Sequence, residues 1–240
     1  CMACRGSGVR VPSGPLTIFW RCRVNDSTLN PLDKRKDYGS DALAEGELLA
    51  DPLEQLRLWI EQADAAGVYE PNAMVLATID PDGNPSSRTV LLRGIDEHGL
   101  YFYTDYGSRK GLALLAHSAV SVVFPWYLQH RQVKVFGHAT PTQVEVSDAY
   151  FSSRPRDSQI GAWASDQSRP IESRGALEAK VREMEAQFTG VDTVPRPEKW
   201  GGFVVEPERM EFWAGRTSRL HDRISFEKGA QGWSASRLQP

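Results

Sequence analysis

Three short stretches of this sequence gather side chains able to do chemistry. The first is Ser108-Arg109-Lys110-Gly111, at the start of an expected helix. Free backbone N–H groups and the positive dipole end favour an anion there, and two cationic side chains strengthen the pull. The glycine would allow close approach, and Tyr103-Thr104, ending a strand just before, would add an aromatic wall and a hydroxyl. The plain alternative is a first helical turn whose basic side chains are merely solvated.

The second stretch runs from Tyr150 to Ser158 and reads Tyr-Phe-Ser-Ser-Arg-Pro-Arg-Asp-Ser. Tyr150 and Arg154 are four apart and on a helix share a face. Pro155 then turns the chain, so that Ser158 can fold back beside Arg154. A phenol, a guanidinium and a hydroxyl converging in this way suit a monophosphate, bound bidentately by the guanidinium. The rival reading is a helix-end ion pair between Arg154 and Asp157.

The third is Arg219-Leu220-His221-Asp222-Arg223, close to Glu211-Phe212-Trp213. If extended, it points Arg219, His221 and Arg223 to one face. Three such groups repel one another unless an anion or an electron-rich ring lies over them. The other histidines (His98, His117, His130 and His138) have no such company and are assigned no role. No Ser-His-Asp pattern, H-E-x-x-H, Walker loop or G-x-G-x-x-G is visible. Two phosphate-binding candidates suggest a phosphorylated cofactor and a phosphorylated substrate.

Elements that could position these groups follow from periodicity and turn chemistry. A helix is expected from about Pro52 to Ala66, with Asp51 as N-cap, Glu54 completing a capping box and Gly67 ending it. Its core face would be Leu53, Leu56, Trp59, Ile60 and Ala63. Extended runs are expected at Ala73 to Ile79, Ser86 to Ile95 and Leu100 to Thr104, with turns at Asp82-Gly83 and His98-Gly99. A short helix over Ser108 to His117 precedes strands near Val120 to Trp126 and Gln132 to His138. Residues from about Gln143 to Phe188 read as helical, interrupted at Pro155 and Pro170, with Leu177, Val181, Met184 and Phe188 as a core stripe. Strands return at Gly202 to Glu206, Met210 to Ala214 and Leu220 to Phe226. Close strands joined by tight turns imply an antiparallel barrel or sandwich with added helices, built from both halves of the chain. Residues 1 to 45 are expected to be a flexible segment and 46 to 240 a single domain.

The 240 residues carry a net charge of −3, which gives no reason to expect nucleic acid or an anionic membrane as partner. No stretch approaches the roughly 20 apolar residues that span a bilayer. The run Pro15 to Trp20 is too short for a secretory signal, so the protein is expected to be cytoplasmic. Cys1, Cys4 and Cys22 are the three cysteines, and Cys1 and Cys4 lack the second ligand pair of a zinc site.

At this level the residues resemble a known family, pyridoxamine 5′-phosphate oxidase, within the FMN (flavin mononucleotide)-binding split-barrel group. The likeness runs from about Arg35 to Pro240. It rests on Pro-Asn-Ala-Met-Val-Leu-Ala-Thr at 71 to 78, Arg-Thr-Val-Leu-Leu-Arg at 88 to 93, Tyr-Thr at 103 to 104 and Ser-Arg-Lys-Gly at 108 to 111. Further along come Arg-Gln-Val at 131 to 133, Tyr150 to Ser158, Ser-Gln-Ile-Gly-Ala-Trp at 158 to 163, Gln-Ser at 167 to 168 and Trp-Gly-Gly at 200 to 202. Glu-Phe-Trp at 211 to 213 and Arg-Leu-His-Asp-Arg at 219 to 223 complete the set.

The resemblance implies an antiparallel FMN-binding split β-barrel and a homodimer with FMN at the subunit interface. FMN would be held by Arg88, Thr89, Val90, Leu91, Tyr103, Thr104, Arg109, Lys110, Gln132, Gln167, Ser168, Trp213 and Arg223. Tyr150, Arg154 and Ser158 would grip the substrate phosphate, and Arg219, Leu220 and His221 would lie against the substrate, with Arg219 and His221 over its pyridine ring. Arg35-Lys36-Asp37-Tyr38 resembles a segment, usually Arg-Arg-Glu-Tyr, that folds over the substrate. Arg93 stands where the family usually has a substrate-binding lysine, and its planar fork differs from a compact ammonium.

The implied reaction oxidises pyridoxine 5′-phosphate or pyridoxamine 5′-phosphate to pyridoxal 5′-phosphate. A hydride leaves C4′ for flavin N5, O2 is reduced to H2O2, and no metal is needed. The protein's task is to hold two rings at reacting distance. Arg219 would stabilise shifting charge, and His221 would position the substrate or handle a proton. A split-barrel reductase using a nicotinamide or deazaflavin donor and a non-catalytic flavin or pyridoxal-phosphate carrier are the rival readings.

Overall fold

Runs in which every second side chain is apolar bury one face and leave the other half-covered, and here they pair into a single sheet. The computed structural model describes Tyr38 and residues 43–240. In chain order they form α1 (Pro52–Ala65), β1 (Ala73–Ile79), β2 (Pro85–Leu91), β3 (Gly94–Asp96), β4 (Gly99–Asp105) and α2 (Arg109–Ala116). Then come β5 (Ala119–Trp126), β6 (Arg131–Pro141), α3 (Val144–Ser153), α4 (Arg156–Ala164), α5 (Arg174–Gln187), β7 (Trp200–Ala214), β8 (Asp222–Gly229) and β9 (Gly232–Arg237).

All pairings are antiparallel, in the order β2-β1-β5-β6-β7-β4-β3, with β8 between β7 and β9. Strand β7 organises the sheet. One edge runs along β6; the other pairs with β4 over Trp200 to Val205 and then with β8 over Arg209 to Ala214. The register of β6 and β7 shifts between Phe136 and Gly137, near where the partner changes. The sheet therefore curls and divides.

The run expected at Ser86 to Ile95, and the pair of runs expected at Gly202 to Glu206 and Met210 to Ala214, need correction. The first is two strands, because Leu92 N–H donates to Asn72 beside β1 whereas Arg93 N–H donates to Tyr101 on β4. The chain changes partners there. The second is one continuous strand through Pro207. Strand β9 was not foreseen, and β8 begins at Asp222 rather than Leu220.

The main core lies inside the curl. Leu56, Met74, Leu76, Leu100, Phe102, Phe124, Val133, Val135, Phe203, Phe212 and Ile224 are fully buried there. Helix α1 seals it with Leu53, Leu56, Trp59 and Ala63, Ile60 is partly covered, and the Trp59 ring meets Phe212 edge-on at 5.1 Å. Asp51 caps α1 by accepting from Leu53 N–H at 2.8 Å. Glu54 does not close a capping box; its carboxylate lies 3.5 Å from Arg57 instead.

A second, smaller core of Phe151, Ile160, Phe188, Val194 and Trp200 joins α3, α4 and α5 to the start of β7. No residue within α5 is fully buried; Val181 and Met184 only lean on this cluster, and Phe188 enters it. Leu43 is buried in the main core, while residues 1–37 and 39–42 of the expected flexible segment lie outside the described residues. No helix among the described residues is long and apolar enough to cross a membrane.

Candidate functional site

Helix α2 begins where β4 ends, and Ser108 makes the junction rigid. Its hydroxyl accepts from Gly111 N–H at 3.2 Å and donates to the Asp105 carbonyl at 2.6 Å. A side chain on Gly111 would come within 2.4 Å of the Tyr106 carbonyl oxygen, so this glycine accommodates the chain's own backbone, not a ligand. Lys110 reaches back from the first turn, donating to Thr104 Oγ1 at 2.9 Å and to Gln167 Oε1 at 2.6 Å. Burial, then the nearby Arg88 guanidinium, pulls the Lys110 ammonium below the ordinary lysine range, with Asp105 opposing. Arg88 is itself lowered by burial. Its fork donates to Leu76 O at 3.1 Å, to Thr78 Oγ1 at 2.8 Å and to the Ser86 hydroxyl, which fixes the second cation. Two partly desolvated cations side by side are stabilised by an anion placed between them.

A second cation pair forms around Arg154. Helix α3 ends at Ser153 and Arg154 is already extended, so it does not share a helical face with Tyr150. The residues converge because Pro155 turns the chain into α4, where Ser158 lies in the first turn. Tyr150 stacks on Tyr103 with ring centres 3.7 Å apart, and the Arg154 guanidinium lies 4.5 Å over the Trp200 ring. Burial lowers the Arg154 pKa, Tyr150 opposes this, and the neighbouring Arg93 lowers it further. Arg154 Nη1 is buried with no hydrogen-bond partner, and no ion pair with Asp157 forms among the described residues. Burial, then Tyr150 and Tyr106, pushes the Tyr103 phenol up, so it stays protonated.

One cleft of about 650 Å3 takes in both groups. Of the expected residues, Thr89, Val90, Leu91, Arg93, Tyr103, Thr104, Lys110, Tyr150, Arg154, Ser158 and Gln167 line it. Ser153, Pro155 and Trp200 line it too; the sequence assigns none of them to binding, and gives Pro155 only the turn. Trp200 stacks near Tyr103 and Tyr150 at 5.7 and 6.2 Å, so a sequence signal existed only in its place within Trp-Gly-Gly. Arg88 stands behind the wall. Arg109 and Ser168 are exposed and outside the lining; Ser168 has a left-handed φ of 69°. The loop bearing Gln167 is tied down by Asp166, whose carboxylate lies 2.7 Å from Lys199 and 2.9 Å from Lys180. Those hydrogen bonds, Lys199 first, lower the Asp166 pKa to about 2.

The remaining expected residues gather elsewhere. Gln132, Trp213 and Arg223 are direct cross-strand partners on β6, β7 and β8, so their side chains form one row on the outer face of the sheet. Arg223 donates to both Glu211 oxygens at 2.9 and 3.0 Å and to Gln239 O at 2.9 Å. Buried Glu211 also holds Lys134 at 3.3 Å.

The expected extended run at 219 to 223 is overturned. Thr217–Arg219 is a tight turn with Ser218 and Arg219 at φ 54° and 61°, so Arg219, His221 and Arg223 do not alternate along a strand. Arg219 and Leu220 are exposed, and none of Arg219, Leu220 and His221 lines the cleft. His221 Nδ1 accepts from Arg216 N–H at 3.1 Å. Tyr38 packs edge-on against His221, Trp213 and His130, at 5.5, 5.9 and 4.7 Å, which brings in a histidine given no role. Arg35, Lys36 and Asp37 lie outside the described residues.

The family profile "Pyridoxamine 5′-phosphate oxidase" matches residues 60–188, and "Pyridoxine 5′-phosphate oxidase C-terminal dimerisation region" matches 200–240. A pyridoxine/pyridoxamine 5′-phosphate oxidase of Rubrobacter xylanophilus is 53% identical over 86% of this chain and 94% of its own length. The chain belongs to the pyridoxine/pyridoxamine 5′-phosphate oxidase family. A Bordetella avium member is 48% identical over 87% of this chain and 98% of its own. Among solved structures, PhzG from Burkholderia lata, in complex with tetrahydrophenazine-1-carboxylic acid, superposes with TM-score 0.77 at 35% identity, covering 83% of this chain and 98% of that one. An FMN-binding protein from Nostoc punctiforme shares the fold at TM-score 0.63, with 17% identity over 80% of this chain and all of its own. The curled, divided sheet is thus the split β-barrel of FMN-binding proteins, and β7, β8 and β9 form the family's dimerisation region.

Proposed function

We propose that the cleft pairs FMN with a vitamin B6 phosphate, and that two copies of this chain complete each site. The activity is the family's: FMN-dependent oxidation of pyridoxine 5′-phosphate or pyridoxamine 5′-phosphate to pyridoxal 5′-phosphate, with O2 reduced to H2O2. The observation that carries the reading is a single cleft lined by Lys110, with Arg88 behind it, and by Arg93 with Arg154, whose buried Nη1 lacks a partner. These residues fit two phosphate groups.

Lys110, Arg88, Thr104 and Gln167 hold the FMN phosphate end, with Arg109 and Ser168 at its exposed side. Thr89, Val90 and Leu91 lie along the flavin, and Tyr103 adds a neutral phenol. When bound, FMN supplies the hydride acceptor and passes the electrons to O2. Arg154, Tyr150 and Ser158 anchor the substrate phosphate, with Arg93 adding a second guanidinium. The Tyr103–Tyr150–Trp200 stack keeps that corner dry, which strengthens the anchor.

Gln132, Trp213, Arg223, Arg219, Leu220 and His221 complete the site from the second subunit. That division is supported by their absence from the cleft lining and by their place on or beside β6, β7 and β8, of which β7 and β8 lie in the dimerisation region. Because His221 Nδ1 accepts a backbone N–H, the neutral ring carries its proton on Nε2. His221 therefore acts as a hydrogen-bond donor at Nε2 and positions the substrate. Arg219 supplies positive charge over the ring.

Subunit mixing tests the shared site. Assayed with substrate well below the wild-type KM, Arg154→Ala and Arg219→Ala homodimers should each retain only a few per cent of wild-type activity, about the 30-fold loss expected of one lost charged contact. Random exchange should restore about a quarter of wild-type activity, because half the dimers then carry one intact site. No recovery despite proven exchange would place both residues in one subunit's site and sink the composite reading.

A further inference from the structure

Gly215 follows the last residue of β7 and does not have a left-handed φ, so its backbone does not call for glycine. Its N–H donates to the His130 carbonyl at 2.8 Å, which ties the end of β7 to the turn before β6. A Cβ built on it would lie 2.8 Å from Tyr38 Cγ, 3.1 Å from Tyr38 Cβ and 3.1 Å from His130 Cβ. Gly215 is buried, and the space its missing side chain leaves is taken by the Tyr38 ring. Around that ring stand His130, His221 and Trp213, all edge-on.

We propose that Gly215 is a positioning residue whose missing side chain forms a socket seating Tyr38 against His221 and Trp213. The socket needs each of its parts. His130 forms one wall, and the His221 ring, fixed by Arg216 N–H, and Trp213 form the others. Any side chain at 215 meets the rigid root of Tyr38, where no far-end rotation can relieve the overlap. The inference rests on the reading above, in which His221 positions the substrate; Tyr38, edge-on to that ring at 5.5 Å, acts through it. It adds that β7 sets where that contact falls.

The test uses FMN-loaded enzyme and four variants: Gly215→Ala, Tyr38→Ala, the double variant, and His130→Ala. Gly215→Ala should raise KM for pyridoxine 5′-phosphate by about fivefold to tenfold, the order of one lost aromatic contact. FMN affinity, read by flavin fluorescence, should stay within about twofold. In the Tyr38→Ala background the Gly215→Ala change should add nothing, because both act through the same ring. His130→Ala opens the socket from the other side, should also raise KM, and serves if Gly215→Ala does not fold. Additive losses, or equal loss of FMN and substrate affinity, would overturn the proposal. Unchanged KM in Gly215→Ala would overturn it while leaving the oxidase reading intact; a wild-type enzyme inert towards pyridoxine 5′-phosphate would end both.

Discussion

Removing the Arg154 guanidinium should separate substrate binding from flavin retention. Its Nη1 is buried without a hydrogen-bond partner, and the fork faces the cleft beside Tyr150 and Ser158. A hydrogen bond to a charged group contributes about 1.5–3 kcal/mol net. Arg93 remains nearby as partial replacement, so a loss of about 2 kcal/mol is expected in Arg154→Ala, or roughly 30-fold in affinity. Lysine at this position restores charge but not the fork, and should recover only part. The assay is anaerobic titration of pyridoxine 5′-phosphate into FMN-loaded enzyme, with FMN affinity measured separately by fluorescence. FMN affinity should change by less than about threefold, because its phosphate cations, Lys110 and Arg88, are a separate pair. Unphosphorylated pyridoxine gives the control: wild type and variant should bind it equally weakly. Equal losses of FMN and substrate, or an undiminished penalty with unphosphorylated pyridoxine, would show that Arg154 does not grip the substrate phosphate.

Other perturbations have signs set by the geometry. Burial and Arg88 depress the Lys110 pKa, and a bound phosphate raises it; FMN affinity should therefore be full below the depressed pKa and fall as pH rises through it, a fall that fluorescence titration should find absent in Lys110→Met. Glu211→Gln leaves Lys134 and Arg223 facing a neutral amide in a buried site, and should cost about 3 kcal/mol in urea unfolding of the protein. The Asp166 pKa is held at about 2 by Lys199 and Lys180, below its ordinary 3.8. Its stabilisation is thus present above that ordinary value and lost as pH falls towards 2. Because the carboxylate is more than half exposed, the term is about 0.5 kcal/mol after screening, and acid unfolding of Asp166→Asn should lack it.

Much of the scaffold was legible because its periodicity is local. Ala73 to Ile79 alternates cleanly between buried and half-buried, and its bounds match the expectation. Ser108 capping and the proline at 155 likewise act within a few residues of themselves. What escaped depends on distant partners. Strand β9 has no apolar alternation; only Trp233 leans on the core, and pairing with β8 orders the rest. The break at Leu92-Arg93 exists because consecutive N–H groups go to different neighbours, Asn72 just before β1 and Tyr101 on β4. Arg219 and His221 were placed on one face by assuming extension, but Ser218 and Arg219 adopt left-handed φ and make a turn. The socket at Gly215 is invisible in sequence, since Tyr38 and residue 215 meet only after folding.

The most direct measurement is the visible spectrum of purified protein loaded with FMN, recorded without oxygen before and after addition of pyridoxine 5′-phosphate. The account predicts loss of the oxidised flavin absorbance near one equivalent of substrate, formation of pyridoxal 5′-phosphate, and return of the colour with release of H2O2 when air is admitted. A spectrum unchanged by pyridoxine 5′-phosphate and pyridoxamine 5′-phosphate alike would contradict it.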